Sequence, residues 1–303
     1  MNSLSKLEYV NCNVCEKDDA ITFFRENNYT VVKCKNCGLV YVNPRPMEKE
    51  HNSNNMQQDE YSKYIRNYIN NQTAHSYSSH KILKELENIY PEKGKLLEVG
   101  CASGYFLKSA REKGWQVEGI EPEYSMAKYA IEKLNLKVRI SSIEKAQLPK
   151  NHFDVIIAIN VLSHLLNPNQ ILKKFNFSLK SNGILVIQTG NKGSMLSKKK
   201  AEILGEFWLT PEHLYHFSEN SLVLLLKKTG FKVKCMKRTH VVEHMFSEGI
   251  LTINRSSKGK WYIKKLFLKY SIIRKFSTKL LKYYYSVFLN SDVCSLLCIS
   301  EKK

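Results

Sequence analysis

From residue 93 onward, short apolar runs alternate with amphipathic stretches of about ten residues, and this rhythm restricts the fold more than any other feature of the chain. Leu96-Leu97-Glu98-Val99 reads as a buried strand that stops at Gly100, and Tyr105 to Lys113 reads as helix. Val117 to Glu121 is a second strand and Glu123 to Leu134 a second helix. Further strands are expected at Lys137 to Ile140, Phe153 to Ile159, Gly183 to Thr189, Phe231 to Lys237 and Val293 to Ser300. Helices are expected at Asn169 to Leu179 and Ser221 to Lys228. Strands separated by helices of this length pair in parallel through crossovers. The expected fold is α/β, a doubly wound, mostly parallel, seven-stranded Rossmann-like sheet.

A second pattern precedes it. Cys12-x2-Cys15 and Cys34-x2-Cys37 are separated by 18 residues. Each knuckle aims two thiolates at one point, and two knuckles complete a tetrahedron around zinc. With all four ligand positions filled by cysteine there is no open position for water, so the expected site is a structural Zn2+ in a small N-terminal zinc ribbon. A module of this size buries little core, and metal binding on the order of 10 kcal/mol would supply the missing stability. Three regions follow: residues 1–46 as zinc ribbon, ending at Pro44-Arg45-Pro46; residues 47–92 as a helical linker or cap, helical from about Glu60 to Ile89; and residues 93–303 as the main domain, with an insertion at about 238–290.

The chain has 303 residues, of which 43% are hydrophobic and 25% charged, which is ordinary globular usage. No apolar run reaches the roughly 18 residues of a membrane span. Met1 to Val10 has no apolar core of signal-peptide length, so the expected compartment is cytoplasmic. The net charge is +19, and residues 255–303 carry 12 Lys/Arg against 2 Asp/Glu. A solvated lysine-rich surface accounts for this, as does an anionic partner. Within the basic segment 259–289, Ile263, Leu266, Phe267, Tyr270 and Ile273 fall near one helical face and Lys264, Lys265, Lys269 and Lys275 on the other. Such a helix packs on its own domain or on a second subunit, lies on an anionic membrane surface, or meets nucleic acid.

The chemistry concentrates at Glu98-Val99-Gly100-Cys101-Ala102-Ser103-Gly104. Gly100 permits a tight turn at a strand end, and Gly104 lets the following helix begin close to a ligand. Glu121 ends the next strand 21 residues after Gly100, where a carboxylate can accept from both hydroxyls of a ribose. A dinucleotide site more often shows three glycines, to admit a pyrophosphate. Glu98, one step before the turn, would repel a pyrophosphate but suits the cationic amino-acid end of S-adenosylmethionine (SAM).

Together these segments resemble the class I SAM-dependent methyltransferases. Leu96 to Gly104 and Val117-Glu118-Gly119-Ile120-Glu121-Pro122 look like the first two motifs. Phe153-Asp154-Val155-Ile156, then Val161-Leu162-Ser163-His164-Leu165 with Pro168, resemble the fourth strand and its loop. The likeness continues through Leu179 to Leu185, Trp208, Pro211 to Ser218 and Thr229-Gly230-Phe231. With the zinc ribbon, it is similar to a bacterial subgroup associated with sugars and polysaccharide biosynthesis. The resemblance implies that Glu98, Gly100, Cys101 and Gly104 hold the methionine end of SAM and Glu121 the ribose. It implies that Ser142 and Ile143 lie near adenine, that Asn160 and Val161 line the sulfur side, and that Tyr61 and Tyr64 sit on a helix able to close over the ligand. The subgroup often has an acid before the histidine after strand four; here it is Ser163.

Transfer to a hydroxyl or a carbon acid needs a base. The candidates are His213, His164 and His216, with Tyr215 as a polar orienter; His213 and His216, three apart, could share one face of a helical turn. Each also fits a structural histidine bonded to the backbone. The expected function is methylation of a small-molecule or glycan acceptor on oxygen or carbon. An RNA or protein methyltransferase is the alternative, although no Asn/Asp-Pro-Pro-aromatic motif is present, and a non-catalytic zinc-ribbon binding protein is the third.

Overall fold

The computed structural model describes residues 6–47, 65–70, 72–191, 210–240, 251–255, 261–265 and 294–303. Tyr61, Tyr64 and Trp208, and most of the 238–290 insertion, lie outside the described residues.

The N-terminal part comprises β1 (Leu7–Glu8), β2 (Ala20–Glu26), β3 (Tyr29–Cys34), β4 (Val40–Val42) and β5 (Arg45–Pro46). A helix follows, α1 (Gln72–Ile89), and then β6 (Lys95–Val99), α2 (Tyr105–Glu112), β7 (Gln116–Glu121), α3 (Tyr124–Glu132), β8 (Val138–Ile140) and β9 (Phe153–Ile159). The chain continues through a 3₁₀ turn at Leu162–His164, α4 (Pro168–Ser178), β10 (Leu179–Gly190), β11 (Tyr215–His216), α5 (Glu219–Lys228) and β12 (Phe231–His240). The remaining described elements are β13 (Leu251–Arg255), β14 (Trp261–Lys265) and β15 (Cys294–Lys302).

The main sheet has seven strands in the order β12-β15-β10-β9-β6-β7-β8. β8, β7, β6, β9 and β10 run parallel, and β15 runs antiparallel to both β10 and β12. This is the doubly wound, mostly parallel, seven-stranded Rossmann-like sheet that the strand–helix alternation predicts. Helix limits follow local chemistry. Asn167 caps α4 by accepting from the Gln170 amide, with Pro168 in the first turn. Ser218 and Ser221 form a capping box at α5.

Strand alternation divides the core into two layers. Leu96, Val155, Ile157 and Val186 face one side, with residues of α1 and α2. Leu97, Ile156, Ala158, Leu185 and Ile187 face the other, with residues of α4 and α5. The second layer does not stop at the sheet: Cys12, Phe24, Val31 and Tyr41 belong to the same continuous cluster as Leu214, Phe217 and Leu222.

Two local expectations change. Trp261 to Lys265, read as the start of an amphipathic helix, is strand β14 and pairs antiparallel with β13, from Leu251↔Lys265 to Arg255↔Trp261. Trp-Tyr-Ile favours a pleated strand, and period alone does not separate helix from strand over so short a run. The remainder of segment 259–289, apart from these residues, lies outside the described residues. Likewise His213 and His216 do not share a helical turn: His213 lies in a coil and His216 in β11. Among the described residues no helix is long and apolar enough to cross a membrane.

Candidate active site and its ribbon

The first five strands of the parallel array end along one edge, and the strand order reverses between β6 and β9. A crevice outside the carboxyl ends at such a switch point is where open α/β sheets bind ligands. Gly100 follows β6 with φ +70°, and its amide donates to the Ile120 carbonyl at 2.8 Å. A Cβ at Gly100 would lie 2.5 Å from Val161 Cγ2, so the loops after β6 and β9 touch at a point with no room for a side chain. Asn160 starts the second loop in the left-handed region, φ +55°, and its amide donates to the Gln188 carbonyl at 2.8 Å.

Glu121 is buried at the end of β7. One carboxylate oxygen accepts from the Ala102 amide at 2.8 Å and the other from the Glu123 amide at 2.9 Å. These bonds tie the glycine-flanked turn to the neighbouring strand. Burial raises the Glu121 pKa, while the two amides pull it back down. The Ser141 amide donates to the Glu121 carbonyl at 3.1 Å, which brings the Ser142-Ile143 segment to the same edge. The Cys101 thiol is buried and packs over Gly119, where a Cβ would lie 2.7 Å from its Sγ. At Gly104 a Cβ would meet Leu136 and Ala130 at 2.6 and 2.9 Å, so that glycine admits close packing of α3 in addition to turning the chain.

Glu98 is 3% exposed, and its Oε2 has no hydrogen-bond partner. Burial raises its pKa well above the usual carboxylate range, and the charge of Glu121 adds to the rise. A buried acceptor without a donor is costly unless a ligand satisfies it. A primary ammonium group has the right charge and the right number of N–H donors, so these residues fit the amino-acid end of SAM.

The histidines adjoin this edge. His164 closes the 3₁₀ turn and its Nδ1 lies 3.0 Å from the Glu212 carbonyl. A carbonyl only accepts, so Nδ1 carries the proton and the neutral ring has its lone pair on Nε2. The Leu214 amide donates to the Ser163 carbonyl at 2.8 Å, holding the two loops together. The His164 and His213 rings meet edge to face at 4.5 Å, and His213 and His216 at 6.4 Å. His164 and His213 are half-buried; His216 is 1% exposed.

Tyr215 sits differently. Its buried hydroxyl accepts from Arg45 Nη1 at 2.6 Å and from Asn13 Nδ2 at 2.9 Å, and donates to the Leu166 carbonyl at 2.9 Å. Those three bonds fill the hydroxyl's capacity. β11 is the fourth strand of the N-terminal sheet, in the order β11-β4-β3-β2, with Tyr215 opposite Tyr41 and His216 opposite Val40. Arg45, Asn13, Glu26 and Asn27, all facing this junction, were not legible as site residues. Pro44-Arg45-Pro46 reads in the sequence only as the end of a module.

The four cysteines converge as their spacing predicts. Cys12 Sγ and Cys37 Sγ lie 3.4 Å apart, as do Cys15 Sγ and Cys34 Sγ, and all four lie within 4.8 Å of one another. Ligands at about 2.3 Å from a tetrahedral ion would lie at comparable separations. Gly38, at φ +73°, donates to the Cys34 carbonyl at 3.0 Å and turns the second knuckle. The cluster is compatible with one tetrahedral ion.

Residues 70–235 match the model of a family described as Methyltransferase domain. The chain belongs to this methyltransferase family. Among curated proteins, a ubiquinone biosynthesis O-methyltransferase of Bradyrhizobium diazoefficiens is 30% identical over 155 residues, which are 45% of this chain and 60% of that protein. The chain thus spans less than two thirds of that relative's length. Among solved structures, a putative sarcosine dimethylglycine methyltransferase from Galdieria sulphuraria aligns with TM-score 0.55 at 14% identity, covering 75% of this chain and 86% of that one. A phospholethanolamine N-methyltransferase 2 of Haemonchus contortus, in complex with phosphomonomethylethanolamine and S-adenosylhomocysteine, aligns with TM-score 0.52 at 17% identity over 74% of this chain and 52% of that one. These likenesses establish the fold.

Proposed function

We propose that this member of the methyltransferase family transfers a methyl group from SAM to a hydroxyl of a small-molecule acceptor, a sugar or sugar-linked carrier. The observation that carries the reading is Glu98, whose buried Oε2 lacks a partner beside a turn tied to Glu121. Glu98 would take the ammonium group, Gly100, Cys101 and Gly104 would give their backbone to the amino-acid end, and Glu121 would hold the ribose. Ser142 and Ile143 would flank adenine, and Asn160 and Val161 the sulfur side. SAM, when bound, supplies a methyl group already activated by its sulfonium charge. What remains for the protein is alignment of the acceptor and removal of its proton.

For the proton we favour His213 and His164 over His216. The first two are half-buried, and His164 uses Nδ1–H toward the Glu212 carbonyl, which puts the acceptor lone pair of the neutral ring on Nε2. We assign Tyr215 to anchoring, because its hydroxyl is already fully bonded. The four cysteines would hold structural Zn2+. The sugar reading is supported by the ribbon joined to the domain, as in the subgroup the sequence resembles. A second reading, a phenolic or quinol hydroxyl, is supported by the name of the Bradyrhizobium relative.

The test is transfer of labelled methyl from SAM to nucleotide sugars, to dihydroxylated aromatics and to RNA in parallel. Label in the sugars supports the proposal. Label only in the aromatics selects the second reading, and label only in RNA overturns both. Absence of SAM binding by the folded protein would remove the enzyme reading altogether.

A further inference from the structure

The N-terminal module is attached to the histidine-bearing segment and, among the described residues, to little else at the cofactor edge. At the start of that segment, Asn27 Nδ2 donates to the Thr210 carbonyl at 2.7 Å and the Thr210 amide donates to Glu26 Oε2 at 2.8 Å. At its centre, β11 extends the ribbon sheet, and the Val42 amide donates to the Leu214 carbonyl at 2.9 Å. Arg45 lies underneath: its guanidinium donates to Tyr215 Oη and to the Leu166 carbonyl, and is held by Glu8 at 2.9 Å. Beyond the segment, Lys228 at the end of α5 donates to the Val14 carbonyl at 3.1 Å and pairs with Glu16 at 2.8 Å, both on the first cysteine knuckle. The segment in turn holds His164 through Leu214–Ser163 and Glu212–His164.

We infer that the cysteine ribbon is the scaffold of the histidine face, with Glu26, Asn27 and Arg45 as positioning residues, so that metal loading of the ribbon orders His213 and His164 and leaves the cofactor end of the sheet unchanged. Placing these residues on the acceptor side rests on the function proposed above. The physical basis is an asymmetry of attachment. The Gly100 amide donates to the Ile120 carbonyl, and the Ala102 and Glu123 amides donate to the Glu121 carboxylate, all within the main domain. Residues 210–216 take their bonds from the ribbon on one side and the His164 loop on the other. A short strand paired to a ribbon that has lost its metal loses its template, and its amides then open at low free energy.

Hydrogen exchange on the full chain tests this without an acceptor. The Zn2+-loaded protein is compared with protein stripped by chelator, and S-adenosylhomocysteine affinity is measured on both samples. Expected on stripping is a rise of at least about tenfold in exchange at 212–216, with 96–121 unchanged and affinity within about twofold. Equal protection of 212–216 in both samples, or equal loosening of 96–121, overturns the inference.

Arg45→Met and the milder Asn27→Ala provide the second arm, each checked for retained Zn2+. Both should raise exchange at 212–216 and shift the ¹⁵N ring signals of His213 and His164. Arg45→Lys should partly restore the signals. Unshifted signals in both variants would refute the positioning role. If the signals shift while methyl transfer keeps its kcat, the scaffold stands and the acceptor-side assignment of the histidines fails, so the two readings fail separately.

Discussion

Glu98, one residue before the end of β6, stands opposite Gly119, so Glu121 at the end of the neighbouring parallel strand β7 lies two residues further along in register, and its charge adds to the burial that raises the Glu98 pKa. A ligand that brings an ammonium group to Glu98 reverses that balance. Binding of SAM is therefore expected to release protons over the pH range in which the raised Glu98 carboxyl still holds its proton. Calorimetric titrations in buffers of different ionisation enthalpy should give enthalpies that vary linearly with the buffer, with the sign of release. Glu98→Gln should abolish that dependence and weaken binding by about tenfold or more, the loss of a charge-assisted bond.

The contact of Gly100 with Val161 makes a prediction by volume. Gly100→Ala must push apart two loops, at φ +70° and against a methyl at 2.5 Å. It should cost about 1–3 kcal/mol in stability and at least tenfold in SAM affinity. Gly100→Ala combined with Val161→Ala, which removes the clashing methyl but leaves the positive φ, should recover part of the loss. Chemical denaturation and isotherms check both.

Acid should act through His75. Its ring stacks with Tyr105 at 5.7 Å and lies 4.1 Å from the Tyr68 ring, and burial pushes its pKa down to about 4. The native state thus holds it neutral, while the unfolded chain binds a proton near the reference value of about 6.5. Its contribution is fully present above about 6.5 and is lost as pH falls toward about 4, on the order of 3 kcal/mol across the window. His75→Phe should flatten the denaturation midpoint between those pH values.

The three histidines should separate kinetically. Once an acceptor is in hand, His213→Ala and His164→Ala are expected to lower kcat by about 10²-fold or more, with SAM affinity kept. His216→Ala, a buried change, should act chiefly on stability. Tyr215→Phe should leave buried Arg45 with one acceptor fewer and lower the melting temperature, without altering the pH profile of transfer.

The parts of the site legible in the sequence are those that one short segment specifies by itself. Gly100, Glu121 and the paired cysteines announce turns and ligands at fixed spacing, and the seven strands follow from apolar runs bounded by glycine or amphipathic helix. The junction was hidden because its bonds join residues remote in the chain, 170 positions apart for Arg45 and Tyr215. No periodicity shows that a two-residue strand beside His213 will complete the sheet of a cysteine module. Arg45 between two prolines carries no local signal beyond an extended backbone. The Trp261–Lys265 strand is hidden for a different reason: three large apolar residues followed by two lysines complete neither a helical nor a pleated period over five residues.

β15 lies between β10 and β12, antiparallel to both. Among the described residues β12 therefore has no neighbour in the main sheet until residues far downstream arrive, and a nascent chain carries two unsatisfied edges while it waits. Truncation before Cys294 would leave those edges open to one another or to a second molecule, a route to mispairing rather than to a shorter working domain. Affinity tags or fusions should accordingly be judged by whether they let that last strand slide into its slot.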